Sequence, residues 1–285
     1  MKQYIRLVKF PLSVTVAAAF LAGYLVQTPR IDVVSSTLFF SVLLLACGCG
    51  CLNNYQDRFL DKRFSRTRDR PLPANKIPSR LAMVLVMVLI PSGLYGLYCQ
   101  SLTLFFLGLL AVCFYNFLYT SLKRRTLWAM LPGVACGMLP PWMGWLAAGG
   151  EPLSLKIWLI MVIFGVWQMP HFWLLLLANN TDFAESGIPN MLTHFLGTQL
   201  KRILLVWVVG FAALTLCLPL VQLVRTDGAF LALSINAAGL ILVFCILLFS
   251  QKRLRVYRAL FIHLNLGVFI SMTILVIDST LSFQG

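Results

Sequence analysis

Acidic side chains are scarce in this sequence, with nine Asp and Glu in 285 residues against 23 Lys and Arg. Charge of either sign makes up 11% of the chain, where a soluble domain carries about 25%. A chain so poor in charge cannot cover a water-soluble core, and its 60% apolar content assigns it to a membrane. The long apolar runs lack the strict alternation of a lipid-facing strand, which excludes a β-barrel and leaves helices. No repeat of fixed period is present, so a solenoid is excluded as well. Eight cysteines are present but do not read as a disulfide framework, because most lie within or beside apolar runs. Three of them form Cys47-Gly48-Cys49-Gly50-Cys51, where small residues at helical spacing suit close helix packing better than a metal site.

What is abundant is hydrocarbon. A helix spans a bilayer with about 20 apolar residues and satisfies its own backbone there. Nine runs meet that need: 11–28, 34–52, 81–99, 101–120, 127–148, 154–178, 203–224, 228–250 and 259–281. The fold class expected is all-α, a polytopic membrane protein built as a bundle of nine transmembrane helices. Residues 1–285 form one domain in this reading. The basic N-terminus leads into the first span without a small-residue cleavage site, so that span is expected to stay. Nine spans put the N-terminus, the 53–80 connection, Lys123 to Arg125, Lys201-Arg202 and the 252–258 connection on one side. That side then holds 20 of the 23 basic residues. The excess of Lys and Arg marks it as cytoplasmic, with the C-terminus opposite, in a cell (inner or plasma) membrane. The net charge of +14 is thereby a topology signal, and nucleic acid is not an expected partner.

One connection departs from the pattern. Asn53 to Pro73 reads NNYQDRFLDKRFSRTRDRPLP, with charge of both signs directly after an apolar span. Asn53, Asp57 and Asp61 recur at i, i+4 and i+8, which on a helix is one edge about 12 Å long. Two carboxylates and an amide offer only oxygen ligands. That set suits Mg²⁺, which takes one or two carboxylates and completes its shell with water and substrate phosphate. Arg58, Lys62, Arg63, Arg66, Arg68 and Arg70 surround it, and guanidinium forks pair with phosphate oxygens. Together they describe a diphosphate site at the membrane surface. The competing reading is a solvated loop with i,i+4 ion pairs. Against it stands the start of the edge at the very end of a span, where it would face the mouth of the bundle. A transporter is a further alternative, but it calls for ionisable residues near the bilayer midplane and two related halves. The acidic cluster lies at one face, and no halves are evident.

Asn53-x-x-x-Asp57-x-x-x-Asp61, followed by Arg66-Thr67-x-x-Arg70-Pro71-Leu72, resembles the first signature of the UbiA superfamily of intramembrane prenyltransferases. NNYQDRFLDKRFSRT is most similar to its heme O synthase branch. Ser121 to Trp145, SLKRRTLWAMLPGVACGMLPPWMGW, resembles that branch's basic entry and Pro-Pro-x-x-Gly-Trp end. Val166 to Trp173, VWQMPHFW, resembles its Trp-Gln-x-Pro-His segment, and Asp182 to Pro189, DFAESGIP, its acidic-aromatic segment.

The resemblance implies a nine-helix bundle that transfers a farnesyl group from farnesyl diphosphate to a vinyl group of heme B, yielding heme O. Mg²⁺ would be held by Asn53, Asp57 and Asp61, with Arg66 and Arg70 completing the catalytic set. Lys62, Lys123 and Arg124 would reach the diphosphate. Trp167, Gln168 and His171 would meet the heme, His171 as an iron ligand or a ring contact. Asp182 and Glu185 would hold a second Mg²⁺ or position the arginines. Heme B is substrate here rather than cofactor, and a downstream heme A synthase or terminal oxidase is an implied partner. Another acceptor, a quinone precursor or chlorophyllide, is the nearest alternative within the superfamily. His194 and His263 fit no pattern, and Asp278 reads as interfacial at the far face.

Overall fold

The computed structural model describes residues 1–179, 195, 197–249 and 254–284. Among them every regular element is helical. A short α1 (Lys2–Leu7) precedes nine long helices: α2 (Phe10–Gln27), α3 (Val33–Asp61), α4 (Ser79–Gln100), α5 (Leu102–Leu122), α6 (Met130–Ala147), α7 (Leu155–Leu177), α8 (Gly197–Leu216), α9 (Asp227–Phe249) and α10 (Leu254–Gln284). All but α6 are long and apolar enough to cross a membrane. Helix α6 contains Pro140, Pro141 and several glycines and tryptophans, which dilute its hydropathy, yet it packs against α2, α5 and α7 inside the bundle. The nine-helix expectation therefore holds among the described residues, and the chain is an integral multi-pass membrane protein.

Helix ends follow local chemistry. Asp32 caps α3 by accepting from the Ser35 backbone N–H at 2.7 Å, while the Ser35 hydroxyl accepts from Asp32 N at 2.9 Å. This reciprocal box fixes where α3 starts. The Ser35 backbone N–H holds the Asp32 carboxyl below the usual carboxylate range. Ser101 and Ser154 cap α5 and α7 in the simpler way. At the same end as Asp32, Asp278 accepts from the backbone N–H groups of Arg225 and Thr226 at 2.7 and 3.1 Å. Its side chain is buried and ties α10 to the α8–α9 connection. The far-face position read from sequence is kept, with the side chain buried there rather than exposed to water.

Two apolar clusters fill the bundle. One joins α2 to α6 through Phe20, Leu38, Leu97, Leu104 and Met143, and the other joins α6 to α10 through Ile160, Leu174, Phe211, Phe244 and Leu264. Between lipid-embedded helices close approach matters more than the hydrophobic effect, so small residues mark the crossings. A Cβ on Gly23 would strike the Pro141 carbonyl, and one on Gly144 the Phe20 carbonyl. Pro141 has no N–H to satisfy, which helps α2 and α6 meet backbone to backbone. The Cys47 to Cys51 segment is likewise a packing surface. Cβ atoms on Gly48 and Gly50 would press on Ile90 and on the Val8 carbonyl, and the Cys51 thiol donates to the Ala82 carbonyl at 3.4 Å.

A third, smaller cluster lies at the charged end. Leu7, Cys51, Leu72, Ile77, Ala82 and Val86 pack together, so α1 and the 62–78 connection lie over the end of α3. The connection is a series of hydrogen-bonded turns. Thr67 Oγ1 donates to the Asp61 carbonyl at 3.0 Å, and Lys76 N donates to the Pro71 carbonyl at 2.8 Å.

Gly144→Ala should lower the melting temperature in detergent, by the equivalent of about 1–3 kcal/mol of overpacking. Gly239→Ala, where an added Cβ meets nothing, should leave it unchanged.

Candidate active site

Helix α3 does not stop where its apolar run stops. It continues through Asn53 to Asp61, and this extension carries the site. Asn53, Asp57 and Asp61 share one edge and are 2%, 3% and 5% exposed, while Phe59 on another side is 65% exposed. The edge faces into the bundle mouth.

Each of the three side chains has a cationic partner. Asp57 accepts from Lys123 Nζ through Oδ2 and from Arg124 Nη2 at 2.9 Å through Oδ1. Asp61 Oδ2 accepts from Arg70 Nη1 at 2.9 Å. Lys9 Nζ donates to Asn53 Oδ1 at 2.5 Å and to the Tyr115 hydroxyl at 3.2 Å. Burial pushes the Lys9 ammonium down to about 7, helped by the positive charges of Arg70 and Lys123. Burial also lowers Lys123, with the Asp57 carboxylate opposing the shift. The basic residues at this end outnumber the two buried carboxylates, so the site invites a multiply charged anion.

A widened turn in α5 builds the opposite wall. Cys113–Tyr119 winds as a π-helix, a rare element that recurs at functional sites. It places Asn116, fully buried, with its amide donating to the Cys49 carbonyl at 3.0 Å, while Gln56 Nε2 donates to the Asn116 carbonyl at 3.0 Å. Thr120 Oγ1 accepts from Asn53 Nδ2 at 2.8 Å and donates to the Tyr115 carbonyl at 2.8 Å. Behind Asp61, Asn54 Nδ2 donates to the Leu7 carbonyl at 2.6 Å, and its Oδ1 lies 3.4 Å from Arg70.

From this cluster a row of rings leads across the bundle. Tyr115 stacks on Tyr119 at 5.9 Å, Tyr119 meets Phe172 at 5.9 Å, and Phe172 meets His171 edge-on at 5.8 Å. His171 then contacts Trp167 at 5.0 Å and Phe261 at 4.7 Å. Gly133 makes the Tyr119–Phe172 contact feasible, because a Cβ there would sit 3.1 Å from Phe172 and 3.2 Å from Tyr119. His171 Nδ1 lies 3.0 Å from Asn265 Oδ1.

The structure therefore brings Asn53, Asp57, Asp61, Arg70, Lys123 and Arg124 together and sets His171 and Trp167 at the far end of the ring row. Arg66 lies within electrostatic reach of Tyr119, on the same side of the cluster. Lys62 is exposed at the end of α3 and makes no ion pair among the described residues. Gln168 is buried, with Nε2 on the Val134 and Phe164 carbonyls at 3.3 and 3.2 Å, and its amide fills the space over Gly137. Its polar groups serve the α6–α7 contact. Asp182, Glu185 and His194 lie outside the described residues. Lys9, Asn54, Gln56, Tyr115, Asn116, Thr120, Tyr119 and Asn265 were not singled out by sequence reasoning. Lys9 bears no local signal beyond its charge, and Asn116 and Asn265 are lone amides in apolar runs, the one feature that marks them.

The donor set fits Mg²⁺. Its oxygens are hard, and the cations resting on them are stand-ins for positive charge at the same atoms. Two carboxylates fall short of an all-protein cage, which leaves positions for phosphate oxygens.

The sequence pattern of the UbiA prenyltransferase family matches residues 12–270. The chain belongs to that family. It is 31% identical over 249 residues to a protoheme IX farnesyltransferase of Nitratidesulfovibrio vulgaris, covering 87% of this chain and 86% of that one. A protoheme IX farnesyltransferase of Neorickettsia sennetsu is 31% identical over 274 residues, covering 93% and 88%. Among solved structures, a digeranylgeranylglyceryl phosphate synthase superposes with a TM-score of 0.77 at 16% identity, covering 98% of each chain. A UbiA homolog from Archaeoglobus fulgidus bound to GPP and Mg²⁺ gives 0.64 at 15% identity, covering 96% of this chain and 99% of that one. These structural likenesses fix the UbiA fold, and the family match makes the chain a prenyltransferase.

Asp57→Asn should lower the melting temperature of the ligand-free protein by the equivalent of about 1–3 kcal/mol, because it leaves a buried ammonium short of its carboxylate. Millimolar inorganic diphosphate should restore much of the loss by giving Lys123 and Arg124 a new anion.

Proposed function

We propose that this UbiA-family chain converts heme B to heme O, moving farnesyl from farnesyl diphosphate to a heme vinyl group with Mg²⁺. The observation that carries the diphosphate half is the burial of the Asn53–Asp57–Asp61 edge beneath Lys9, Arg70, Lys123 and Arg124. The acceptor half is supported by the name shared by its relatives in several bacteria and by His171 at the end of the ring row. Residues 1–285 act as one domain, with the site on the cytoplasmic side, where the basic connections lie.

In this reading Asn53, Asp57 and Asp61 hold Mg²⁺. The ion supplies Lewis-acid stabilisation of the charge that grows on the departing diphosphate. Arg70, Lys123 and Arg124 turn from the carboxylates to phosphate oxygens, where preorganised donors act strongly in a water-poor site. Arg66 adds positive field from the same connection. Tyr115, Tyr119 and Phe172 flank the allylic fragment with ring faces and keep water from it while the C1–O bond breaks. The vinyl group attacks C1 of the farnesyl chain. The resulting cation, next to the porphyrin, takes up water and releases a proton, leaving a hydroxyethylfarnesyl group. Trp167 and His171 contact the porphyrin at the opposite end. A downstream heme A synthase or terminal oxidase would draw off the product.

The test is incubation of purified protein with heme B, farnesyl diphosphate and Mg²⁺, followed by mass analysis for heme O. Product should form, vanish with EDTA and return with Mg²⁺. Asp57→Ala should reduce the rate by about 100-fold or more. Full activity of that variant would defeat the metal assignment, and product only with 4-hydroxybenzoate would replace heme as the acceptor.

A further inference from the structure

Asn265 on α10 is used by neither the diphosphate cluster nor the ring row, yet it makes the hydrogen bond to His171. Its amide orientation follows from its second partner. One end of the amide lies 2.5 Å from the Phe261 carbonyl, one helical turn back, and the other lies 3.0 Å from His171 Nδ1. A carbonyl accepts only, so the end facing Phe261 must be the NH₂ group. Reversing the amide would press two oxygens together at that distance. Asn265 therefore presents its oxygen to His171, and the imidazole answers with a proton on Nδ1.

A neutral imidazole carries one ring proton, so a proton on Nδ1 leaves Nε2 with its lone pair. The ring is packed by Trp167, Phe172 and Phe261 and has no carboxylate partner among the described residues, which favours the neutral form. Nε2 has no hydrogen-bond partner among the described residues, and the residue is half-buried rather than sealed.

We infer that Asn265 is a positioning residue that locks His171 in the Nδ1–H tautomer and keeps the Nε2 lone pair for the acceptor substrate. The acceptor it would serve is an electron-poor centre that takes a nitrogen lone pair, such as the iron of a metalloporphyrin. This rests on the reading that His171 meets heme. Outer partners of this kind set ligand tautomer and basicity, and their loss typically weakens a metal's hold by about 10-fold to 100-fold.

The experiment uses the full chain labelled with [¹⁵N]histidine in lipid bilayers. Nitrogen NMR reads which ring atom carries the proton, with His171→Gln identifying the signal among the three histidines. The expected result is Nδ1–H in the parent, retained in Asn265→Asp, which keeps the acceptor oxygen, and lost or mixed in Asn265→Leu. A proton on Nε2 in the parent, or an unchanged Nδ1–H in Asn265→Leu, overturns the inference. Ferric heme titration on the same samples supplies the second readout. Affinity should fall about 10-fold or more in Asn265→Leu and stay near the parent in Asn265→Asp. If His171→Ala binds heme with the parent's spectrum and affinity while the tautomer result holds, the heme contact proposed above falls and the Asn265 assignment stands.

Discussion

Two buried carboxylates on one helix edge, outnumbered by the cations resting on them, set the terms for the charged end of this molecule. Asp57 is shared between Lys123 and Arg124, and Asp61 is held by Arg70. Burying an ion costs several kcal/mol unless partners replace its water, and here the partners come from two separate segments. Helix α3 must run past its apolar stretch to present the acids. The 62–78 connection must fold back to deliver Arg70, and α5 must end beside α3 to deliver Lys123 and Arg124. Lys9, at the start of α2, closes the remaining side over Asn53. The arrangement is balanced only approximately, and the surplus of positive charge is what an incoming diphosphate would neutralise.

The membrane explains the rest of the scaffold. Helices in lipid gain little from hiding apolar side chains from one another, so they are held by close backbone contact and by scattered polar bonds. Gly23 against Pro141 and Gly144 against Phe20 are of the first kind. Gln168 on the Val134 carbonyl, and Asn236 on the Gly267 carbonyl and Ser271 hydroxyl, are of the second. The π-turn of α5 belongs to both, because it widens the helix where Asn116 binds α3 and where Tyr115 and Tyr119 begin the row of rings. Charge thus gathers at one end, and an aromatic path leads from it toward His171.

Much of this could be read from residues. The spans were legible because each is a long apolar run, and the Asn53–Asp57–Asp61 edge because spacing four is a helical period that the structure continues beyond the membrane run. Lys123 and Arg124 were legible as charges following an apolar run. Lys9 was not, since the contact with Asn53 depends on how α1 and α2 fold back, across 44 residues of sequence. The π-turn leaves no periodic mark, because its seven residues, Cys113–Tyr119, are too few to display a period of their own within an apolar run. Lys62 neighbours Asp61 in sequence but lies exposed just past the end of α3, off the shared edge. Asn265 and His171 are 94 residues apart, and nothing short of the folded bundle pairs them.

The central claim is that the Asn53–Asp57–Asp61 edge binds a divalent ion together with a diphosphate. Manganese in place of magnesium makes that contact measurable by pulsed electron paramagnetic resonance, with a non-reactive thio analogue of farnesyl diphosphate as the anion. The account predicts phosphorus hyperfine coupling to the bound ion in the parent protein. It predicts that the coupling disappears in Asp57→Asn and Asp61→Asn and persists in Asp278→Asn at the opposite face. Undiminished phosphorus coupling in both Asp57→Asn and Asp61→Asn would contradict it.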